Sequence, residues 1–221
     1  MNEGRLEAME AFFAARTEGY DEHMLREVPG CRAAYARVAE LLPDTAETLL
    51  DLGCGTGLEL GFIYPRLPGL RVTGIDLTQA MLDRLEERYA SRRPRLICGD
   101  YLRLPLGEAA FDAALSAESL HHASHAEKRG LYARLRRALK RGGVYIECDY
   151  MVSTRAEEDF YFAEYTRLLR EQGLPESGRY HYDRPCAVDT QKHLLLEAGF
   201  GSVSLEFQEG NTAVLLARAE D

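Results

Sequence analysis

The run Asp51-Leu52-Gly53-Cys54-Gly55-Thr56-Gly57 carries the most chemical information in the chain. It follows the apolar Thr48-Leu49-Leu50 and leads into a helical pattern over 58–64, so strand, glycine turn and helix start succeed one another. Glycine reaches positive φ and carries no side chain, which lets bare backbone approach a ligand at the carboxyl end of a strand. The spacing is G-x-G-x-G, and Leu58 stands where the pyrophosphate fingerprint of nicotinamide enzymes has its last glycine. That departure disfavours a nicotinamide oxidoreductase. The acidic Asp51 at the head of the loop suits a ligand with a positive group better than a diphosphate. These residues predict a cofactor site.

Such a loop needs a sheet to hold it, and 221 residues suit one α/β domain better than two poorly cored halves. The 46% hydrophobic and 29% charged content is that of an ordinary globule, and no apolar run approaches the ~18 residues of a membrane span. Residues 1–5 lead into an amphipathic pattern instead of a signal-peptide core, so a cytoplasmic location is expected. A net charge of −9 argues against a broad phosphate-binding surface, and nucleic acid is not expected as a partner. Cys31, Cys54, Cys98, Cys148 and Cys186 show no C-x-x-C spacing, so reduced thiols are expected, without disulfide or zinc.

Apolar spacing supplies the supporting elements. Leu6, Met9, Phe12 and Phe13 predict an opening amphipathic helix; 31–42 predicts a second, and Glu18-Gly19-Tyr20-Asp21 reads as a polar joint between them. Strands are expected at 48–52, 71–75, 95–98, 111–116 and 144–148, with helices between them. The helix after the glycine loop is expected to reach about Arg66, and Thr78 is expected to cap the next one. Ser124/Glu127 and Thr154/Glu157 are capping boxes, with Gly142-Gly143 and Gly173 as the matching stops. Asp189 is expected to cap a helix ending at Gly199, and 202–207 and 212–217 to close the chain as a hairpin. Strands alternating with helices imply a parallel sheet with right-handed crossovers.

With the glycine loop, Asp76 at the end of strand two, Gly99-Asp100-Tyr101 after strand three, and Phe111-Asp112-Ala113-Ala114-Leu115-Ser116, the chain resembles class I S-adenosylmethionine-dependent methyltransferases from about Leu41 to Ala219. The resemblance implies an α/β three-layer sandwich with a seven-stranded, mostly parallel sheet of order 3-2-1-4-5-7-6, strand seven antiparallel. Within a single domain over 1–221 it implies N-terminal helices (1–43), a cofactor-binding core (44–150), a helical lid insertion after strand five (151–188), and a C-terminal helix and hairpin (189–221). It implies S-adenosylmethionine as cofactor, held by Asp51, Gly53, Cys54, Gly55 and Gly57, by Asp76 and Leu77 at the ribose, and by Asp100 and Tyr101 at the adenine. Tyr20 would fold over it from the N-terminal segment. Arg141 stands where the family often has proline, which concerns a turn and not the chemistry.

The methyl acceptor should enter above the carboxyl ends of strands four and five. Ser119-Leu120-His121-His122 falls there and resembles the Leu-His-His of small-molecule methyltransferases; a histidine could take an acceptor proton near neutral pH. Glu147, Asp149 and Tyr150 end strand five, and Tyr180-His181-Tyr182-Asp183 lies in the insertion. The catalytic candidates are His121, His122, Asp149 and Tyr182. A metal held by His181, Asp183 and a neighbouring histidine has no recognised ligand spacing, and none is expected. Methyl transfer to a small oxygen, nitrogen, sulfur or carbon acceptor is the leading expectation, in a monomer or homodimer without membrane or nucleic-acid partner. The alternative is a module that binds the cofactor without turnover. The Asn/Asp-Pro-Pro-Tyr of amino-directed DNA enzymes is absent, Ala117-Glu118-Ser119-Leu120 standing in its place.

Overall fold

The computed structural model describes residues 5–219, so residues 1–4 of the expected N-terminal reading lie outside the described residues. Three helices lead: α1 (Met9–Ala14), α2 (Tyr20–Glu27) and α3 (Cys31–Leu41). The core then alternates β1 (Thr48–Leu52), α4 (Leu60–Ile63), β2 (Arg71–Asp76), α5 (Gln79–Arg88), β3 (Arg95–Cys98), β4 (Phe111–Ala117), α6 (His125–Ala138) and β5 (Leu139–Tyr150). The chain closes with α7 (Arg155–Glu171), α8 (Val188–Glu197), β6 (Ser202–Glu209) and β7 (Thr212–Arg218). One seven-stranded sheet has the order β3-β2-β1-β4-β5-β7-β6, parallel except for β7, which runs antiparallel to β5 and β6. The expected topology is therefore found.

Strand side chains alternate between two buried faces, which is why β1 reads as a continuous apolar run. Leu49 packs with α3 and α4, whereas Leu50 and Leu52 pack with α6 and α8. At β1 the strand order changes direction, with β2 on one side and β4 on the other. The loops after β1 and β4 therefore diverge into a crevice at the carboxyl edge, where open α/β sheets bind ligands.

Both capping boxes form as expected: Ser124 Oγ accepts from Glu127 N while Glu127 Oε2 accepts from Ser124 N, and Thr154 and Glu157 do the same. Other expectations are corrected. The joint at 18–21 is the start of α2, because Gly19 at φ +80° turns the chain and Asp21 and Glu22 favour a helix N-terminus. The helical pattern after the glycine loop gives only the short α4. Thr78 occupies a cap position without a capping side-chain bond, and Ala187, not Asp189, precedes α8. α6 ends at Ala138, and β5 begins at Leu139, with an irregular register before Val144 as Gly142 takes φ +71°.

Asp112 ties the starts of the three central strands together. One carboxylate oxygen accepts from the Glu47 and Thr48 amides at 3.1 and 3.0 Å and from Thr48 Oγ1 at 2.7 Å; the other meets Lys140 Nζ at 2.8 Å. Partial burial would raise this carboxyl, but the Lys140 and Thr48 bonds outweigh it and bring it down to about 2. A depressed folded-state value means the stabilisation is complete above the ordinary carboxyl range and fades as pH falls toward 2. Asp112→Ala should lower unfolding free energy at pH 7 by about 1–3 kcal/mol in urea titrations. The gap to the parent should narrow at pH 3; an equal gap at both values would contradict the assignment.

Candidate active site

The glycine loop is shaped from both sides. Gly53, Gly55 and Gly57 all have positive φ, at +70°, +47° and +68°. A β-carbon on Gly53 would lie 2.3 Å from Ser119 Oγ, and one on Gly57 would lie 2.9 Å from Leu85. A β-carbon on Gly55 would meet only the Gly53 carbonyl, at 4.0 Å, so this position faces open space. That space is a pocket lined by Tyr20, Gly53, Gly55, Asp76, Leu77, Asp100 and Tyr101, as expected, together with Met9, Phe13, Glu118, Ser119, His122 and Arg179. Asp51, Cys54 and Gly57 are not on its surface. Cys54 is buried against Gly74, Gly57 supports the loop from behind, and Asp51 is wholly buried beneath it.

The acidic residues of this pocket differ in their partners. Asp76 accepts from the amides of Gly55 at 2.9 Å and Thr78 at 2.8 Å, fixing its carboxylate at the end of β2. Asp100 accepts from Leu102 N at 2.9 Å and pairs with Arg179 at 3.0 Å. Asp51 and the adjacent Glu59 are buried and hydrogen-bonded to each other. Burial pushes Asp51 well above the carboxylate range, with Glu59 adding repulsion, and raises Glu59 to about 7. A buried pair of carboxyls beneath an open glycine loop fits a ligand that brings positive charge. Asp76 has the acceptor geometry that suits a ribose diol. The residues thus fit S-adenosylmethionine, a sulfonium with an ammonium group and a ribose.

On the other side of the crevice, β4 runs into Glu118 at φ +48° and a single 3₁₀ turn, Leu120–His122. Asp149, near the end of β5, holds that turn: Oδ2 accepts from Leu120 N at 2.9 Å and Oδ1 meets His121 Nδ1 at 2.5 Å. Burial would lower His121, yet the attraction of Asp149 prevails and raises it to about 9. His122 is pushed well below its ordinary value, first by burial and then by the charge of His121 and His181. Burial, reinforced by Asp149, brings Glu118 up to about 8, and its Oε1 is buried without a partner. Glu147 lies elsewhere, bonded to Tyr132 and Tyr145 in the core.

These groups face a cleft of about 910 Å³ lined by Phe12, Tyr20, Glu118, His121, His122, Tyr150, His181 and Asp183 among others. Phe13, Tyr20, Glu118 and His122 line both this cleft and the glycine-loop pocket. The two spaces therefore share a wall. The sequence-based reading did not single out Phe13, Glu118 or Arg179; their only signal was position, just after β4 for Glu118 and within α1 and the insertion for the others. Tyr182 sits differently from the other catalytic candidates. Its ring packs toward Tyr165, at 5.7 Å, in the small core of the insertion, and only its carbonyl reaches the site, 3.2 Å from His122 Nδ1.

The insertion and the N-terminal segment form one cover. Ala8 and Tyr180 make an isolated antiparallel bridge, in which Met9 N donates to Arg179 O and His181 N to Glu7 O. Phe12 stacks on His181 at 3.4 Å, and Leu6 packs with Tyr165, Leu168 and Leu169.

A seven-stranded sheet ending in an antiparallel hairpin, with a glycine loop beside a carboxylate-ended second strand, defines a methyltransferase-type α/β domain. A family model described as "Methyltransferase domain" matches residues 49–143. That match and the strand order are those of class I S-adenosylmethionine-dependent methyltransferases, which the chain resembles in fold and in its glycine loop. Over 170 residues it is 29% identical to 24-methylenesterol C-methyltransferase 2 of Oryza sativa subsp. japonica, a match covering 71% of this chain and 46% of that one. Over 181 residues it is 28% identical to O-methyltransferase cnsE of Penicillium expansum, covering 79% and 59%. The chain thus spans roughly half the length of these relatives. Human N-acetylserotonin methyltransferase, solved in complex with S-adenosylmethionine, shares the fold with a TM-score of 0.68 at 16% identity, over 96% of this chain and 57% of that one. Among the described residues no helix is long and apolar enough to cross a membrane.

If Asp76 holds the ribose, Asp76→Ala should weaken S-adenosylmethionine binding about 10- to 100-fold, since hydrogen bonds to a charged acceptor are worth ~1.5–3 kcal/mol. Isothermal titration calorimetry reads this directly. Unchanged affinity in a folded variant would remove Asp76 from the site.

Proposed function

We propose that this chain transfers the methyl group of S-adenosylmethionine to a small molecule whose nucleophilic atom carries a proton. The wall shared by the two spaces carries the reading, because a methyl group can pass between cofactor and acceptor only where their cavities touch. When bound, the cofactor supplies an electrophilic methyl group on a sulfonium that departs as a neutral thioether. The chain's own residues do the rest. Asp76 and the Gly53–Gly55 backbone hold the ribose end, Asp100 and Tyr101 the adenine, and the buried Asp51–Glu59 pair lies under the loop. Tyr20 and Phe13 exclude water from the shared wall. Glu118 stands on that wall with a buried, unpartnered oxygen, so it is placed to take the acceptor's proton. His121 and His122 position the acceptor; Asp149 orients His121, and Tyr182 fixes His122 through its carbonyl.

A macromolecular acceptor fits less well, since the cleft lies under a cover and the chain carries a net charge of −9. Relatives named for sterol C-methylation and for O-methylation both support a small acceptor. The test uses S-adenosylmethionine labelled in its methyl group with a cell extract fractionated by size. Label should enter the small-molecule fraction. Label confined to protein or nucleic acid would overturn the reading. With an acceptor so identified, Glu118→Gln should lower turnover about 10²- to 10⁴-fold, with cofactor affinity changed only a few-fold; undiminished turnover would remove Glu118 from proton transfer.

A further inference from the structure

We infer that His121, His122 and Asp183 form a divalent-cation site in the wall of the acceptor cleft, with an open position for an oxygen of the acceptor. The acceptor's part in this rests on the methyl-transfer reading above; the cation site itself does not. The geometry points to it through distances that are too long for direct hydrogen bonds and match the spacing of ligands around one ion. His121 Nε2 lies 3.6 Å from Asp183 Oδ1, and His122 Nδ1 lies 3.5 Å from the same oxygen. Both exceed the ~2.7–3.2 Å of an N–H···O bond. Around a cation with bonds of ~2.0–2.2 Å, neighbouring ligand atoms stand ~3.3–3.6 Å apart. The three donor atoms all lie within 4.8 Å of one another. His181 Nε2 approaches the same carboxylate at 3.9 Å and lines the same cleft.

The surroundings are arranged as they would be for a ligand set. Asp149 takes the Nδ1 side of His121, which leaves Nε2 to face Asp183. A carboxylate on the far nitrogen of a ligating histidine fixes its tautomer and ring orientation. His122 ligates through Nδ1 in its Nε2–H tautomer and gives up the 3.2 Å contact with the Tyr182 carbonyl. Asp183 is 42% exposed, so the site opens on the cleft and is not sealed like a structural metal centre. Glu118 and Asp149 stand with His121 in a second group of possible ligands, which adds negative charge beside the site.

A second group with similar donors, His125, Glu158 and Cys186, offers a contrast. There His125 Nε2 already meets Glu158 Oε1 at 2.7 Å, and the buried Lys128 ammonium lies 3.3 Å from Cys186 Sγ. The short His125–Glu158 contact and a fixed positive charge disfavour a cation in that group. Two imidazoles and one carboxylate with a vacant position suit Zn²⁺, Fe²⁺ or Co²⁺. Such an ion would bind a hydroxyl or enol oxygen and ease its deprotonation, so the site favours an oxygen acceptor.

The test is equilibrium dialysis of the full chain, stripped with chelator, against Zn²⁺, with metal analysis. One equivalent should bind per chain. Asp183→Asn and His121→Gln should each weaken binding at least tenfold, Asp149→Asn about 10- to 100-fold, and His125→Gln should leave it unchanged. Asp183 is half exposed, so its variant should keep the fold, and cofactor calorimetry on the same samples checks this. With Co²⁺ as the ion, acetohydroxamate, a bidentate oxygen ligand, should change the visible spectrum of the parent and not of Asp183→Asn. No retained Zn²⁺, or retention that survives both Asp183→Asn and His121→Gln, overturns the site. Zn²⁺ binding without cofactor binding would overturn the methyl-transfer reading and leave the cation site standing.

Discussion

Buried negative charge at the carboxyl edge of the sheet is the constraint around which this molecule is arranged. Asp51, Glu59, Asp76, Glu118 and Asp149 crowd the ends of β1, β2, β4 and β5; Asp51 and Glu59 have chiefly each other, and Glu118 Oε1 has no partner. A lone carboxylate taken out of water costs several kcal/mol, which is why such groups take up protons or find cations. The chain supplies few cations here. His121 serves Asp149, Arg179 serves Asp100, and the pair beneath the glycine loop receives neither. A sulfonium cofactor on one side and a divalent ion on the other would each supply what the fold withholds. On this view the unsatisfied charge is binding energy held ready, and its cost falls on the stability of the ligand-free protein.

Local spacing explains why much of the fold was legible in the residues. A glycine loop, two capping boxes, a strand-ending aspartate and a closing hairpin each declare themselves within about ten to fifteen residues. With right-handed crossovers, those pieces leave little freedom in the strand order. α2 was hidden because Gly19 and Asp21 are turn residues as readily as helix-start residues, and what decides is Met24 packing into the core beside α3. β5 starts early because α6 ends at Ala138, ahead of the Gly142-Gly143 stop read from the residues, and pairing of Leu139 with Phe111 carries the backbone into the sheet.

The candidate site divides along the same line. Positions fixed by strand ends, such as Asp76, Asp100 and His121, could be read from order alone. Glu118 could not, since nothing about an Ala-Glu-Ser sequence says that its carboxylate will lack a partner. Tyr182 looked chemical because it lies among polar aromatics, but packing in the insertion turns its ring toward Tyr165 and leaves only the carbonyl at the site. The cluster on Asp183 joins residues about sixty apart in the chain, so no local ligand spacing could announce it.

The cover is where stability and access oppose each other. It is held to the crevice by one strand bridge, the Phe12–His181 stack, the Arg179–Asp100 pair and the small apolar group around Leu6. Few buried contacts of this kind mark a region that opens at low free-energy cost, whereas the sheet beneath is fixed by continuous ladders. Arg179 gives that motion a direction. It lies on the lid beside the bridge, yet its partner Asp100 lines the cofactor pocket, so occupancy of the pocket and closure of the cover act on one carboxylate. A ligand that also uses Asp100 must share it with Arg179 or displace it. Sharing would tighten the cover over a filled pocket; displacement would loosen it. Arg179 meets both Asp100 oxygens, at 3.0 and 3.2 Å, Oδ1 also accepts from Leu102 N, and Arg103 lies 3.4 Å from Oδ2, so no Asp100 oxygen is left to a ligand alone and the pocket and the cover compete for the same carboxylate.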